Sequence, residues 1–389
     1  MAPLNLSIDQ KNALDWIYSW SLKPISAFIT VGGYAGVGKT TLMAEYRKLL
    51  NKKNKKLKVA FASFTGRATR VLNNKLKDGH VIFKQDSIST IHSLIYSPIL
   101  NNKQHIIGWK LKEDIKADLI VIDEASMLDQ NIWKDLLSFK IPIVAVGDHG
   151  QLPPIKGSFN LMQNPMVKLE KIHRQAKDNP IIMLSLLARE NGHIPVRQFG
   201  NKVVKIDRKN IDAQEQIENQ LKNYLKTTII LCGYNKTRVQ LNQFIRQNLG
   251  FNQAHPDAGD RVICLKNNHR KNIYNGMLGT IQSIKSKSDD WYQSEIMMDD
   301  EDDLFEGFIY KDQFGNVQSQ NFTTKRGKQL GGDLFDFGYA LTVHKAQGSQ
   351  AKKAIVFEER FPKMDDQMWK KWLYTAVTRA EEELFIVGH

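Results

Sequence analysis

Residues 33–40 read GYAGVGKT, a G-x-x-x-x-G-K-[ST] pattern that follows an apolar run and opens a helix-like segment. Gly33, Gly36 and Gly38 let backbone N–H groups turn toward phosphate oxygens at a helix start. Lys39 brings a point charge to the β- and γ-phosphates, and the Thr40 hydroxyl suits Mg²⁺, with Thr41 beside it in the first turn. The chemistry this spacing implies is binding of ATP with Mg²⁺. A second apolar run, LIVIDEAS, ends in Asp123 and Glu124. Asp123 is placed to hold Mg²⁺ through water, and Glu124 to orient and deprotonate an attacking water. Such a pair alone would serve equally as a helix cap; the glycine loop upstream favours hydrolysis. A third run ends in VGDHGQLPP, where Gln151 is placed to sense a γ-phosphate and Pro153 and Pro154 make a rigid turn.

These residues need strands and helix starts to hold them. AFITVGG (27–33), KVAFASF (58–64), ADLIVIDEA (117–125) and IPIVAVGD (141–148) are near-continuous apolar runs separated by helical segments, as expected of parallel strands covered on both faces. After Pro180 comes the helix-like IIMLSLLAREN. A second alternation then begins with TTIILCGY (227–234), a helix through Asn248, and RVICL (261–265). Between about 275 and 332 short alternating runs rich in Gly, Asp and aromatics predict a small antiparallel barrel inserted into this second unit. The α/β pattern resumes with FGYALT, KKAIVFEE, the helical DQMWKKWLYTAVTRA and a final strand ELFIVG. Within the first unit, LIYSPILNNKQHIIGWKLK reads as a β-hairpin at about 95–115. The expected domains are therefore 1–175 and 176–389.

Composition sets the outer limits. A chain of 389 residues with 42% hydrophobic content can supply more than one core. No window approaches the run of about eighteen apolar residues that a membrane-spanning helix requires, so no membrane partner is expected and the location expected is the cytoplasm. Cys232 and Cys264 sit in apolar runs and are expected to pack as small hydrophobes, and no zinc spacing exists. The net charge of +14 suits a phosphate-backbone partner, although a general lysine-rich composition gives the same total. NKKNKKLK (51–58) and the acidic run Asp299 to Asp303 read as solvated turns.

Taken together, GYAGVGKT, DEAS and GDHGQLPP resemble the first, second and third motifs of superfamily 1 helicases, especially the 5′–3′ branch containing RecD-like and Dda-type enzymes. The resemblance implies an α/β fold of two RecA-like P-loop domains with parallel sheets, a β-hairpin insertion acting as a strand-separating pin, and a small SH3-like β-barrel insertion. ATP would be hydrolysed at the interface of the two domains. Gln10, in LSIDQKNAL, corresponds to an adenine-binding glutamine; Ser7 and Gln10 also form an S-x-x-Q capping box that would start a helix regardless of nucleotide. Arg174 in KIHRQ and Arg379 in LYTAVTRA correspond to arginine fingers that stabilise charge on the γ-phosphoryl group.

The segments SFTGRAT, STIHSL, NGMLGT and YALTVHKAQGSQ resemble nucleic-acid contacts, with Thr65, Thr90, His92, Thr342 and His344 on backbone phosphates. Each Ser or Thr also suits a helix N-cap. Tyr96 and Trp109 suit either a pin surface or ordinary packing. The partners implied are single-stranded DNA and duplex junctions, engaged by a monomer, with replication or recombination proteins; the setting implied is a bacterial or phage-infected cell. An RNA helicase would use the same backbone contacts, which tolerate a 2′-hydroxyl. A clamp that does not translocate is the other alternative, against which Glu124, Gln151 and Arg379 argue because a slow switch needs no full hydrolytic set.

Overall fold

The computed structural model describes residues 6–100, 106–154, 159–171, 179–266, 268, 271, 273–299, 304–318 and 332–389. They fall into two compact units, Met1–Met183 and Leu184–His389.

The first unit is built on strands β1 (Phe28–Gly33), β2 (Val59–Ser63), β3 (Ser87–Thr90), β6 (Leu119–Asp123), β7 (Ile143–Gly147) and β8 (Val167–Leu169), with β4 (Tyr96–Leu100) and β5 (Ile106–Leu111) forming a separate antiparallel ribbon. The six strands form one parallel sheet in the order β3-β2-β6-β7-β1-β8. The inner strands β1, β2, β6 and β7 are apolar at nearly every position because both faces are covered. Val59, Phe61, Val121, Val144 and Val146 enter one core with residues of helices α1 (Ile8–Leu22), α2 (Lys39–Lys53) and α3 (Gly66–Asp78). The alternate residues Ala60, Ala62, Ile120, Ile122, Ile143 and Ala145 enter a second core with α4 (Ile91–Ile95) and α5 (Gln130–Ser138). Successive side chains of a strand point to opposite faces, so one continuous apolar run supplies two cores.

Side-chain oxygens of Thr65, Thr90 and Asp129 accept from the first-turn amides of α3, α4 and α5 and fix where each helix starts. Arg47 of α2 and Asp86, both fully buried, are joined by two hydrogen bonds of 2.8 and 2.9 Å, and Asp86 also accepts from the amides of Val59 and Phe83. That pair ties α2 to the β2–β3 edge. The hairpin expected at 95–115 is present as β4 and β5; its connecting residues 101–105 lie outside the described residues.

Helix α6 (Pro180–Asn191) spans the division between the units. The second unit holds strands β9 (Arg197–Gln198), β10 (Val203–Asp207), β11 (Thr228–Cys232), β12 (Arg261–Cys264), β13 (Leu278–Ser286), β14 (Trp291–Met298), β15 (Leu304–Tyr310), β16 (Phe335–Phe337), β17 (Ala340–Thr342), β18 (Ala351–Phe357) and β19 (Ala380–Gly388). Its helices are α7 (Ala213–Lys222), α8 (Asn235–Asn248) and α9 (Asp366–Val377). One sheet has the order β17-β11-β18-β19-β10-β9 and is parallel except at β9.

The other sheet is antiparallel, in the order β15-β14-β13-β12-β16. A bridge between Ile309 and Asp333 brings its last strand back to the segment entering β16, so the sheet curls toward closure. This corrects the expected boundaries of 275–332. RVIC (261–264) pairs antiparallel with β13 and β16 instead of continuing the α/β alternation, and Phe335–Phe337 belongs to the same sheet. A four-residue apolar run carries no period that separates the two settings. Cys232 and Cys264 are free and buried, in the parallel-sheet core and the antiparallel-sheet core respectively.

Candidate nucleotide and nucleic-acid site

The phosphate loop runs from the end of β1 into α2. Gly36 and Gly38 lie at φ of 78° and 77°, a region that disfavours residues with a Cβ, and Gly38 is the residue from which α2 starts. Lys39 Nζ donates to the carbonyl oxygens of Gly33 at 2.8 Å and Tyr34 at 3.0 Å, so the ammonium is held over the loop. Thr40 and Thr41 follow in the first turn, half-buried.

Asp123 ends β6, two strands from β1 across β7. Burial pushes its carboxyl pKa up, opposed by the Lys39 charge and by the Glu124 amide, which donates to Asp123 Oδ1 at 3.0 Å. Glu124 follows at φ 57°, ψ 34°, a left-handed conformation that costs about 1–2 kcal/mol for a residue with a side chain. Strain of this kind is tolerated where the surroundings dictate the direction of a side chain. Among the described residues no group of three His, Cys, Asp or Glu side chains could hold a metal by itself. Thr40 and Asp123 offer one hydroxyl and one carboxylate. That set fits Mg²⁺, which keeps several waters and takes further oxygens from phosphate.

Asp148, which the sequence reading passed over within GDHGQ, is the hub of this region. It is buried, its Oδ2 lies 3.8 Å from Lys39 Nζ, and it accepts from the Gln151 side-chain amide at 3.3 Å and from the Gly150 amide at 3.0 Å. The amide oxygen of Gln151 is buried with no hydrogen-bond partner among the described residues, and it can therefore accept from a bound water. His149 packs on Tyr34 of the loop with ring centroids 4.1 Å apart, and burial lowers its pKa.

Gln10 joins the same region by an unexpected route. Its Oε1 accepts from the Ser7 amide at 3.0 Å while Ser7 Oγ accepts from the Gln10 amide, so the capping box is formed. Its Nε2 donates to the Val37 carbonyl at 3.0 Å, fastening α1 to the phosphate loop. These two bonds use one N–H and one acceptor lone pair of the side-chain amide.

Thr65 and Thr90 both act as helix caps at the same edge of the sheet, where Ser63 is in register with Thr90. His92 is half-buried and packs on Tyr96 and Trp109 with centroids at 4.5 and 4.7 Å. The Tyr96 hydroxyl donates to the Asp135 carboxylate of α5. Both hairpin aromatics are thus packed within the first unit. In the second unit Thr342 ends β17 and is buried, and its carbonyl accepts from the Lys345 and Ala346 amides. His344, half-buried in the turn that follows, has its pKa lowered by burial.

Arg379 is buried, with Nε donating to Thr375 O at 3.0 Å, one terminal nitrogen to Ser349 O at 3.0 Å and the other to Thr378 Oγ1 at 3.1 Å. Its guanidinium is folded onto its own unit. Arg174 lies outside the described residues.

Residues 6–203 match the family described as AAA domain, and residues 337–387 match the UvrD-like helicase C-terminal domain. The chain is 26% identical to the ATP-dependent RecD2 DNA helicase of Deinococcus radiodurans, over 98% of this chain and 49% of that protein. It therefore spans about half the length of that relative. It is 25% identical to the ATP-dependent DNA helicase Pif1 of Campylobacter jejuni, over 90% of this chain and 86% of that one. Its fold is similar to that of Bacteroides Pif1 solved with ADP-AlF3 and single-stranded DNA, with a TM-score of 0.52, 18% identity, and coverage of 98% of this chain and 92% of that one. The family match covers just over half of the chain, joined in sequence to a helicase C-terminal domain. The chain belongs to the AAA-domain family, in the superfamily 1 helicase form shared with RecD- and Pif1-type proteins.

Proposed function

We propose that the chain is an ATP-dependent DNA helicase that translocates along single-stranded DNA in the 5′–3′ direction and opens duplex junctions. The observation that carries this reading is the linkage of Lys39, Asp148 and Gln151. It joins the phosphate loop to a buried amide whose oxygen is available to a water.

In this mechanism the loop amides from Gly33 to Gly38 cradle the phosphates, and Lys39 leaves the Gly33 and Tyr34 carbonyls to neutralise them. Mg²⁺, held by Thr40 and through water by Asp123, would neutralise charge on the β- and γ-phosphates. Glu124 takes the proton of the attacking water, and Gln151 orients that water. Arg174 and Arg379 act as arginine fingers; Arg379 would exchange its carbonyl partners for phosphate oxygens. Gln10 contacts adenine with its remaining donor and acceptor.

Thr65, Thr90, His92, Thr342 and His344 contact the DNA backbone, where hydroxyls, ring nitrogens and the amides of helix starts (Thr65, Thr90) or of the turn after β17 (Thr342, His344) meet phosphate without sequence preference. The β4–β5 ribbon serves as the strand-separating pin. The antiparallel sheet is an SH3-like barrel inserted in a second RecA-like domain, with domain limits near 1–175 and 176–389. The protein works as a monomer in the cytoplasm of a bacterial or phage-infected cell, alongside replication or recombination proteins.

Partial duplexes carrying either a 5′ or a 3′ single-stranded tail test this directly. Unwinding of the 5′-tailed substrate alone, dependent on ATP, is expected. Unwinding of the 3′-tailed substrate alone overturns the polarity, and unwinding of neither overturns the helicase reading.

A further inference from the structure

The two parallel sheets share one strand plan. The first unit reads β3-β2-β6-β7-β1 and the second β17-β11-β18-β19-β10, so β2 corresponds to β11 and β3 to β17. Thr65 follows β2 and Thr90 ends β3; in the second unit Tyr234 follows β11 and Thr342 ends β17. Cys232 and Thr342 are in register on adjacent strands, which puts Tyr234 on the same sheet edge as the Thr342 turn. Where the first unit has the small Thr65, the second carries an aromatic ring.

That ring is exposed (37%) and lies edge to face with Phe361, with centroids 4.6 Å apart and planes at 85°. In an edge-to-face pair each ring keeps a face that the other does not cover. Phe361 follows β18, the strand next to β11, and is half-buried. Two residues beyond each ring stands an exposed lysine, Lys236 after Tyr234 and Lys363 after Phe361. The rings are held by a built joint. Glu359 accepts from the amides of Gly233 at 2.8 Å and Tyr234 at 2.9 Å and from the Thr237 hydroxyl at 2.6 Å. Gly233 has no room for a Cβ, which would lie 2.7 Å from the Glu359 carbonyl oxygen. The Tyr234 hydroxyl donates to the Arg360 carbonyl at 3.3 Å.

We propose that Tyr234 and Phe361 form a stacking platform for the bases of a single strand on the second unit, with Lys236 and Lys363 meeting the phosphates that flank the stacked base. The proposal rests on the single-stranded DNA reading given above. An aromatic face accepts any base, so the platform adds affinity without sequence preference, as a translocating protein requires. Glu359 is a positioning residue for it, because it fixes the backbone on which both rings ride.

The test compares binding of oligothymidine with binding of an abasic phosphodiester strand of equal length. The wild-type protein should prefer oligothymidine by about tenfold or more, the scale of one base stacked on an aromatic ring. Tyr234→Leu and Phe361→Leu should each lose most of that preference while binding the abasic strand as the wild type does, and Tyr234→Phe should keep it. Crosslinking of wild-type protein to a 5-iodouracil strand should label a peptide containing Tyr234 or Phe361, a readout that needs no variant to fold. An unchanged preference in both leucine variants, an equal loss on both strands, or labelling confined to other peptides overturns the platform and leaves the helicase reading standing. Failure of the wild type to bind either strand overturns both.

Discussion

Lys39 and Asp148 face each other at the phosphate loop, Nζ 3.8 Å from Oδ2, while the same ammonium donates to the carbonyls of Gly33 and Tyr34. The carboxylate also receives the Gln151 amide. One buried acid thus connects the lysine of the phosphate loop with the buried Gln151 amide. Asp148→Asn removes the charge and keeps the shape. It is expected to lower DNA-stimulated ATP turnover by about tenfold or more, the scale of one preorganised electrostatic contact. Steady-state kinetics check this, and turnover within twofold of wild type contradicts it.

Lys39→Ala should abolish ATP turnover. Glu124→Gln should retain binding of nucleotide and of DNA while losing hydrolysis, because it keeps the shape of the side chain and removes the base. Equilibrium binding measured beside turnover separates the two variants, and wild-type turnover in either contradicts its assigned role.

Ser7 and Gln10 share a capping box, yet only Gln10 reaches the phosphate loop through the Val37 carbonyl. Ser7→Ala is expected to cost about 1 kcal/mol of stability with no change in the preference for ATP over GTP. Gln10→Ala should in addition reduce that preference. Denaturant titration and competition between the two nucleotides check the pair; an unchanged preference in Gln10→Ala leaves the residue a structural fastener alone.

Asp86 neutralises the buried Arg47 and also receives the Val59 and Phe83 amides. Asp86→Ala leaves a buried guanidinium without its counter-charge and should cost about 3–5 kcal/mol. Chemical unfolding of the variant measures it, and a loss under 1 kcal/mol contradicts the account of how α2 is tied to the sheet.

His344 has its pKa lowered by burial from an ordinary value of 6.5. As pH falls below that value the unfolded chain takes up a proton that the folded chain refuses. Stability is therefore lost on acidification until the folded group titrates, and it is insensitive to this residue above about pH 7. His344→Gln should flatten that part of the stability profile between pH 7 and 5. An identical slope in the variant contradicts the assignment.

The nucleotide loop and the acidic strand end were legible because they are contiguous motifs whose spacing is itself the geometry. The strands 27–33, 58–64, 117–125 and 141–148 were legible because a two-faced parallel strand is apolar throughout. Val203–Asp207 escaped notice because Lys205 interrupts it; the structure buries that ammonium against Glu358 at 2.7 Å and the His389 carbonyl at 2.9 Å, a partnership made across some 150 residues. RVIC pairs in the antiparallel sheet, which its sequence does not reveal because four apolar residues carry no period. Asp148 is not legible as a site residue from its own segment because its partner Lys39 lies more than a hundred positions earlier in the chain. Tyr234 and Phe361 lie 127 residues apart in sequence and become neighbours only through adjacent strands.

The most direct test of the central claim is steady-state ATP turnover with and without single-stranded DNA, in the wild type and in Glu124→Gln. The account predicts turnover that rises many-fold with DNA in the wild type and is absent in the variant under both conditions. Turnover that is negligible, or the same whether or not DNA is present, would contradict it.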